Sequence, residues 1–217
     1  LTEIPEDIPL NVKQIYLDGN SITYIGPNSF SNFTELINLE LRSNKISTIN
    51  DGAFEALVNL KTLDLSLNEL EEIPAMPIAT LEKLDLARNK IRTINDGAFE
   101  ALVNLKTLDL WGNELEEIPA MPIATLEKLE LGRNKIRTIN DGAFEALVNL
   151  KKLDLYYNEL EEIPAFTIND GAFAALVNLK TLNLRGNELD KIPVFAFEAL
   201  VNLKSLNLQG NPFKCDC

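Results

Sequence analysis

Histidine is absent from this chain, and cysteine, methionine and tryptophan are scarce: two, two and one in 217 residues. Without an imidazole there is no ordinary Ser-His-Asp arrangement, and the serines show no partnered base. Both cysteines stand at the end, in "NPFKCDC". Two residues apart in an extended chain, Cys215 and Cys217 face the same side and do not reach disulfide geometry without strain. They read as the start of a terminal cap whose partner cysteines are absent; the alternative, a CxC metal or redox site, lacks a histidine or third cysteine to complete it. No cofactor is expected. Apolar runs are too short to span a bilayer, and no signal peptide is expected before Leu1, so the sequence reads as a mature or trimmed piece. Basic residues are few, 20 against 33 acidic, for a net charge of −13. That balance argues against nucleic acid, whose phosphates need Lys and Arg to displace counterions, and against anionic membrane. Hydrophobic residues make up 46%, enough for a core, which argues against disorder.

What is abundant is repetition. "LxxLxLxxN" closes at Asn20, Asn44, Asn68, Asn89, Asn113, Asn134, Asn158, Asn187 and Asn211, with spacings of 24, 24, 21, 24, 21, 24, 29 and 24 residues. Such periods mark a solenoid. Apolar residues sit eight, five and three positions before each Asn, as Leu60, Leu63 and Leu65 do before Asn68. The alternating "LxL" predicts a short strand with one face buried. Strands repeating in one direction stack as a parallel sheet. The Asn side chain can satisfy turn backbone groups that burial would leave unpaired, and stacked copies predict a ladder along the array.

The return paths come in two lengths. The longer, "NKISTINDGAFEALVNL", puts Phe54 ten residues after its Asn; Phe30, Phe99, Phe144 and Phe197 share that offset. A Phe spine is expected, with Asp51 capping a short helical turn at "AFEAL". The shorter, "NELEEIPAMPIATL", carries Pro74 with Pro77, and Pro119 with Pro122, which forbid regular helix and favour an extended or turning path. Its Glu69, Glu71 and Glu72 read as a solvated edge. The unit after Asn158 opens as the short form and finishes as the long one, so Phe173 falls fifteen residues on. The five additional residues must be absorbed or bulge out, and the sequence marks this as the weakest point of the array.

On these residues the chain resembles leucine-rich-repeat proteins over essentially its full length. The alternating 21- and 24-residue units, with "EIPAMPIATLEKL" in the short ones, resemble the small leucine-rich proteoglycans of extracellular matrix. "NPFKCDC" is similar to the start of the cysteine-rich C-terminal cap of secreted members. The N-terminal cysteine cluster and the second half of the C-terminal cap are missing. The resemblance implies an α/β leucine-rich-repeat solenoid, with a parallel β-sheet on the concave face and short helical, 3-10 or extended segments on the convex face. It also implies a secreted or extracellular setting; from the residues themselves, with no histidine and no partnered base, no enzymatic activity is expected. Residues 69–113 and 114–158 agree at forty of 45 positions. Such uniformity resembles an engineered or consensus array with naturally derived ends, a recombinant product; recent tandem duplication is the alternative. The single solenoid 1–217 then divides into native-like units at 1–44, near-identical repeats at 45–158, a long hybrid unit at 159–187, and a final unit with a truncated cap at 188–217.

The five differences between those blocks are Asp85/Glu130, Ala87/Gly132, Thr107/Lys152, Trp111/Tyr156 and Gly112/Tyr157. They lie six, four, two or one positions before the closing Asn, on slots that the resemblance turns toward the concave, partner-binding surface. The minus-four row reads Tyr16, Glu40, Asp64, Asp85, Asp109, Glu130, Asp154, Asn183 and Asn207. Neighbouring acids about 4.8 Å apart repel, and Lys83, Lys128 and Lys152 at minus six can relieve them. The row reads as a solvated charge ladder or as a track for a basic protein surface or a cation. On an open face its carboxylates have no reason to shift toward a catalytic pKa. The minus-two and minus-one slots give Arg88, Trp111, Arg133, Tyr156, Tyr157 and Arg185, residue types enriched at binding hot spots, with Gly112 and Gly132 leaving room beside the rings. Trp111 also reads as a spectroscopic handle. The candidate surface is therefore Trp111, Tyr156, Tyr157, Arg88, Arg133, Arg185, Asp109, Glu130, Lys152 and Asp154. Nine strands leave an arc of about 38 Å, at ~4.8 Å per gap, long enough to cradle a small protein domain. "Asn32-Phe33-Thr34" is a glycosylation sequon. The sequence supports three readings: a designed scaffold that explores repeat geometry, a protein-binding module working as a monomer, or a matrix-type structural protein.

Overall fold

The computed structural model describes residues 1–95, 97–164 and 171–214. Nine three-residue strands form one parallel sheet in chain order: β1 (Gln14–Tyr16), β3 (Asn38–Glu40), β5 (Thr62–Asp64), β6 (Lys83–Asp85), β7 (Thr107–Asp109), β8 (Lys128–Glu130), β9 (Lys152–Asp154), β10 (Thr181–Asn183) and β11 (Ser205–Asn207). A two-stranded parallel pair, β2 (Tyr24–Ile25) with β4 (Thr48–Ile49), lies on the return path of the first two units. Registers align equivalent residues, so Leu63 pairs with Leu84 and Leu84 with Leu108. The central Leu of each strand from β3 to β10 is fully buried, and its two neighbours face outward.

The Asn ladder closes each turn as its chemistry requires. Asn68 Nδ2 donates to Leu41 O and Leu65 O, at 3.0 Å each, while its Oδ1 accepts Ile46 N–H at 2.9 Å. Asn89, Asn113, Asn134, Asn158 and Asn187 repeat this bridge between successive units. These side chains are almost wholly inaccessible, so each one pairs backbone groups that burial would otherwise orphan. A second ladder adds to the expected one. Nine positions before the closing residue, Asn59, Asn104, Asn149, Asn178 and Asn202 donate to Thr34 O, Ala79 O, Ala124 O, Val148 O and Val177 O at 2.8–2.9 Å. In the short units Thr80 and Thr125 take the same place, with hydroxyls on Leu60 O and Leu105 O.

Of the expected convex-side conformations, the extended and turning one is present. No helix occurs among the described residues, and Asp51 caps none. In the long units Ala53 N–H bonds Asn50 O, Leu57 N–H bonds Phe54 O and Leu60 N–H bonds Leu57 O, a chain of separate i→i+3 turns. Gly52, with φ +79, interrupts any right-handed run, and the few residues remaining are fewer than a helix nucleus repays. The Phe spine is present: Phe30 stacks on Phe54 at 6.2 Å, Phe144 on Phe173 at 6.0 Å and Phe173 on Phe197 at 6.1 Å. In the short units Met76 and Met121 are buried with Ile73, Ile78, Ile118 and Ile123; the unbranched methionines suit an irregular gap.

The hybrid unit keeps the sheet in phase. β10 pairs with β9 and β11 without a slip, and Phe173 keeps its place in the spine. Pro164 O accepts the Ala172 N–H at 2.8 Å. Most of the five additional residues fall at 165–170, and Cys215 and Cys217 at the other end; both lie outside the described residues.

Candidate partner-binding surface

The outward rows of the sheet carry an order of their own. In the minus-four row the carboxylates do backbone work. Asp64, Asp85, Asp109 and Asp154 each accept, through Oδ1, the N–H two residues on, at Ser66, Ala87, Trp111 and Tyr156, over 2.8–3.1 Å. Asn183 and Asn207 do the same for Arg185 and Gln209. These six residues fasten the ends of β5, β6, β7, β9, β10 and β11 where each leaves the sheet. Glu130, one methylene longer, instead takes Lys152 at 2.6 Å and Lys128 at 2.9 Å. The expected relief of the acidic row by minus-six lysines is therefore seen at Glu130. Asn183 Nδ2 reaches Asp154 Oδ2 at 3.0 Å.

The expectation that these acids titrate normally is overturned at Asp109. Burial under its neighbours pushes its carboxyl up to about 6, against the opposing Trp111 N–H bond and with Asp85 and Glu130 adding repulsion. Burial raises Glu40 and Asp85 likewise. The face is less open than alternation alone suggests, because stacked strands and the rings beside them shield one another's carboxylates. Outside this row the charges alternate between units. Glu82 sits between Lys61 and Lys106, at 2.8 Å from each, and is held at about 2 by those bonds. Glu69, on the expected solvated edge, pairs with Lys90 at 2.9 Å.

Beside the acids runs a stack of cations and rings. Arg88 lies over Trp111 with its guanidinium carbon 4.9 Å from the ring centroid. Arg133 sits 5.5 Å from Trp111, 5.9 Å from Tyr156 and 5.5 Å from Tyr157. Arg185 is 5.9 Å from Tyr156. Tyr156 and Tyr157 meet edge to face at 4.2 Å and 88°. Cation, ring, cation, rings and cation thus alternate across neighbouring units, each contact an attraction of a positive charge to the face of a π system. Trp111 and Tyr156 are partly buried, while the arginines and Tyr157 are exposed. All ten anticipated residues lie on these outward rows; Arg88, Trp111, Arg133, Tyr156, Tyr157 and Arg185 form the stack, whereas Asp109, Glu130, Lys152 and Asp154 form the polar row beside it.

The minus-one slot is not conformationally free. Ser43, Leu67, Arg88, Arg133 and Tyr157 have φ between 50 and 56, and Gly112 and Gly186 have 70 and 69. The chain turns through the left-handed region there in every one of these units, so the glycine at 112 serves the turn: its hypothetical Cβ would meet Arg88 Cγ only at an ordinary 3.5 Å. Gly132 does leave room, as anticipated. A Cβ there would lie 3.0 Å from Trp111 Cδ1 and 3.1 Å from Tyr156 O. Gly186 likewise admits Tyr157, whose ring would stand 3.1–3.2 Å from an added Cβ.

A continuous parallel sheet with one face buried and the other carrying ordered charged and aromatic rows defines a repeat solenoid. The chain belongs to the leucine-rich-repeat family: the Leucine rich repeat family model matches residues 11–73, 79–121, 124–167 and 165–213. Over 82 residues it is 39% identical to Leucine-rich repeat-containing protein 3 of Danio rerio, covering 37% of this chain and 31% of that protein. Over 85 residues it is 40% identical to osteomodulin of Rattus norvegicus, covering 38% and 20%. The matches thus span about a third or less of those relatives. Among solved structures, a chain of the octameric complex of Latrophilin 3 (Lec, Olf), Unc5D (Ig, Ig2, TSP1) and FLRT2 (LRR) superposes with a TM-score of 0.90 at 32% identity, over 99% of this chain and 66% of that one. A chain of the TLR13–ssRNA13 complex gives 0.73 at 26%, over 90% and 33%. Among the described residues no helix is long and apolar enough to cross a membrane.

Proposed function

We propose that the chain is a protein-binding leucine-rich-repeat module that receives a protein partner on the concave face of its sheet, without catalytic activity. The observation that carries this reading is the alternating stack of Arg88, Trp111, Arg133, Tyr156, Tyr157 and Arg185. Trp, Tyr and Arg dominate binding hot spots, and side chains already held against one another lose less freedom when a partner arrives. Asp109, Glu130, Lys152 and Asp154 set a polar, mostly acidic row beside the stack, so the fitting partner presents a basic strip next to an apolar or acidic anchor. A net charge of −13 supports a basic protein surface over nucleic acid or anionic membrane. The FLRT2 complex supports protein recognition by analogy, and the osteomodulin likeness supports an extracellular, matrix-type setting. The module acts as a monomer and needs no cofactor.

The test is a screen of immobilised extracellular protein domains at physiological salt, repeated with the Trp111→Ala/Tyr156→Ala double variant and with a convex-side Glu100→Ala control. The expected result is at least about a tenfold loss of affinity, roughly 1.4 kcal/mol, in the double variant only. Equal binding by all three proteins would remove the reading.

A specific observation favours a second reading, a designed scaffold built to explore repeat geometry. Forty of 45 positions agree between 69–113 and 114–158, and every difference falls on the outward rows. On this reading the stack is decoration. A monodisperse monomer that retains no ligand throughout the same screen would support it.

A further inference from the structure

The sequence holds one Asn-x-Ser/Thr triplet, Asn32-Phe33-Thr34, and the concave-face reading does not use it. It departs from the array at a defined place. The long units carry Ala56, Ala101, Ala146 and Ala199 at the position of Asn32, twelve residues after the closing Asn. The local fold then sets the triplet in an accessible frame. Phe33 is buried, edge to face against Phe30 at 6.1 Å, and its N–H donates to Phe30 O at 3.2 Å. With the middle residue pinned inward, Asn32 and Thr34 on either side are exposed. Thr34 takes part in the array through its backbone carbonyl, which accepts from Asn59, so its hydroxyl is not committed to that bond.

Asn32 also borders a groove of about 790 Å³ whose other walls include Ile4, Pro5, Tyr24 and Gly26. Tyr24 is half exposed, and its ring lies over Gly26, where an added Cβ would be 2.9 Å from Tyr24 Cε1. The volume is in the range of small-molecule sites. An aromatic wall suits the apolar C–H face of a pyranose, while the phenol hydroxyl can meet a sugar hydroxyl.

We propose that Asn32 is an N-glycan acceptor and that the first sugars of the glycan lie in this groove against Tyr24. The donor class is a lipid-diphosphate-linked oligosaccharide presented by the transferase of the secretory pathway. The Asn32 carboxamide nitrogen bonds to the anomeric carbon, the bond from that carbon to the diphosphate oxygen breaks, and the electron pair leaves with the lipid diphosphate. One amide proton is released, and nothing is oxidised or reduced. The glycan would project from the return path of the first unit, leaving the rows around Trp111 and Tyr156 open.

The chain is expressed behind a secretory leader in glycosylating cells, and its intact mass is measured before and after peptide N-glycanase. The expected result is one oligosaccharide on the unsubstituted protein and on Thr34→Ser, and none on Asn32→Gln or Thr34→Ala. Enzymatic removal should then convert residue 32 to Asp. Absence of the oligosaccharide from the unsubstituted secreted protein, or its persistence in Asn32→Gln, would overturn the proposal. The seating is read by thermal unfolding. Complete removal of the glycan should lower Tm by about 2 °C in the Tyr24 protein and leave Tyr24→Ala unchanged; equal shifts in both would overturn the seating.

Discussion

Asparagine and aspartate recur at fixed places along the array, and each place puts the side chain to a different use. At the closing position the carboxamide is buried and bridges three backbone groups. Asn113→Ala should therefore cost about 2–4 kcal/mol, since buried groups lose their partners, whereas the exposed Asn104→Ala should cost under about 1 kcal/mol; urea unfolding of both variants measures the contrast. At minus four only an acceptor is needed, and Asn183 and Asn207 supply it as well as Asp does. Asp109 therefore bears a charge its backbone bond does not require. Its folded pKa of about 6 lies above the ordinary 3.8, so the unfolded chain gives up the proton first. Native stability from this group is greatest below about pH 4, falls between 4 and 6, and stays lower above. Asp109→Asn should keep the bond to Trp111 N–H, raise Tm at pH 7 and leave it unchanged at pH 3.5. Equal Tm shifts at both pH values would contradict that account.

At the scale of elements, the strands are short and alike, and the differences lie in the turns and return paths that connect them. The left-handed turn at minus one aims the minus-two side chain along the face and sends the closing Asn inward. Its N–H continues the parallel pairing, as Arg88 does to Trp111 O at 2.7 Å and Gly112 to Gly132 O at 2.9 Å. The cation–ring stack depends on this repetition, because each unit places its Arg or ring one strand along from the next. Gly132→Ala tests the fit. The added methyl would press on Trp111 Cδ1 and the Tyr156 carbonyl, displacing the single indole and costing about 1–2 kcal/mol. A shifted tryptophan emission maximum together with a lower unfolding midpoint is expected; unchanged emission would mean that the ring does not rest there. On the return side, Val58, Val103, Val148, Val177 and Val201 stand exposed beside the second Asn ladder, and the Val148 and Val177 carbonyls accept from it.

For the whole molecule the decisive quantity is phase. Each unit contacts its neighbours, so a change of length in one return path matters only if it shifts the next strand. The long hybrid unit shifts nothing: β9, β10 and β11 pair in register, and Phe144, Phe173 and Phe197 stack at equal spacing. The sheet and the Phe spine both run through that unit without a break. Deleting residues 164–168 would join Ile163 to Asn169 and restore the "INDGAF" of the other long units. The shortened chain should keep its circular dichroism spectrum and unfold at an equal or higher temperature, since loop closure grows cheaper with fewer residues. A fall of several degrees would show that those residues hold the array together.

Solenoid, parallel strands, Asn ladder and Phe spine were all legible in the sequence, because each rests on an inward-facing residue repeated at a fixed spacing, and burial leaves such residues little choice. The outward rows were legible as positions for the same reason. Their chemistry was not. That Arg133 spans three rings, that Asp109 is shielded enough to titrate near 6, that the second Asn row bonds carbonyls one unit away, and that Tyr157 occupies a left-handed slot depend on distances between side chains far apart along the chain. Such distances exist only once neighbouring units stack, so local pattern fixed which way each residue faces and tertiary contact decided what it meets there.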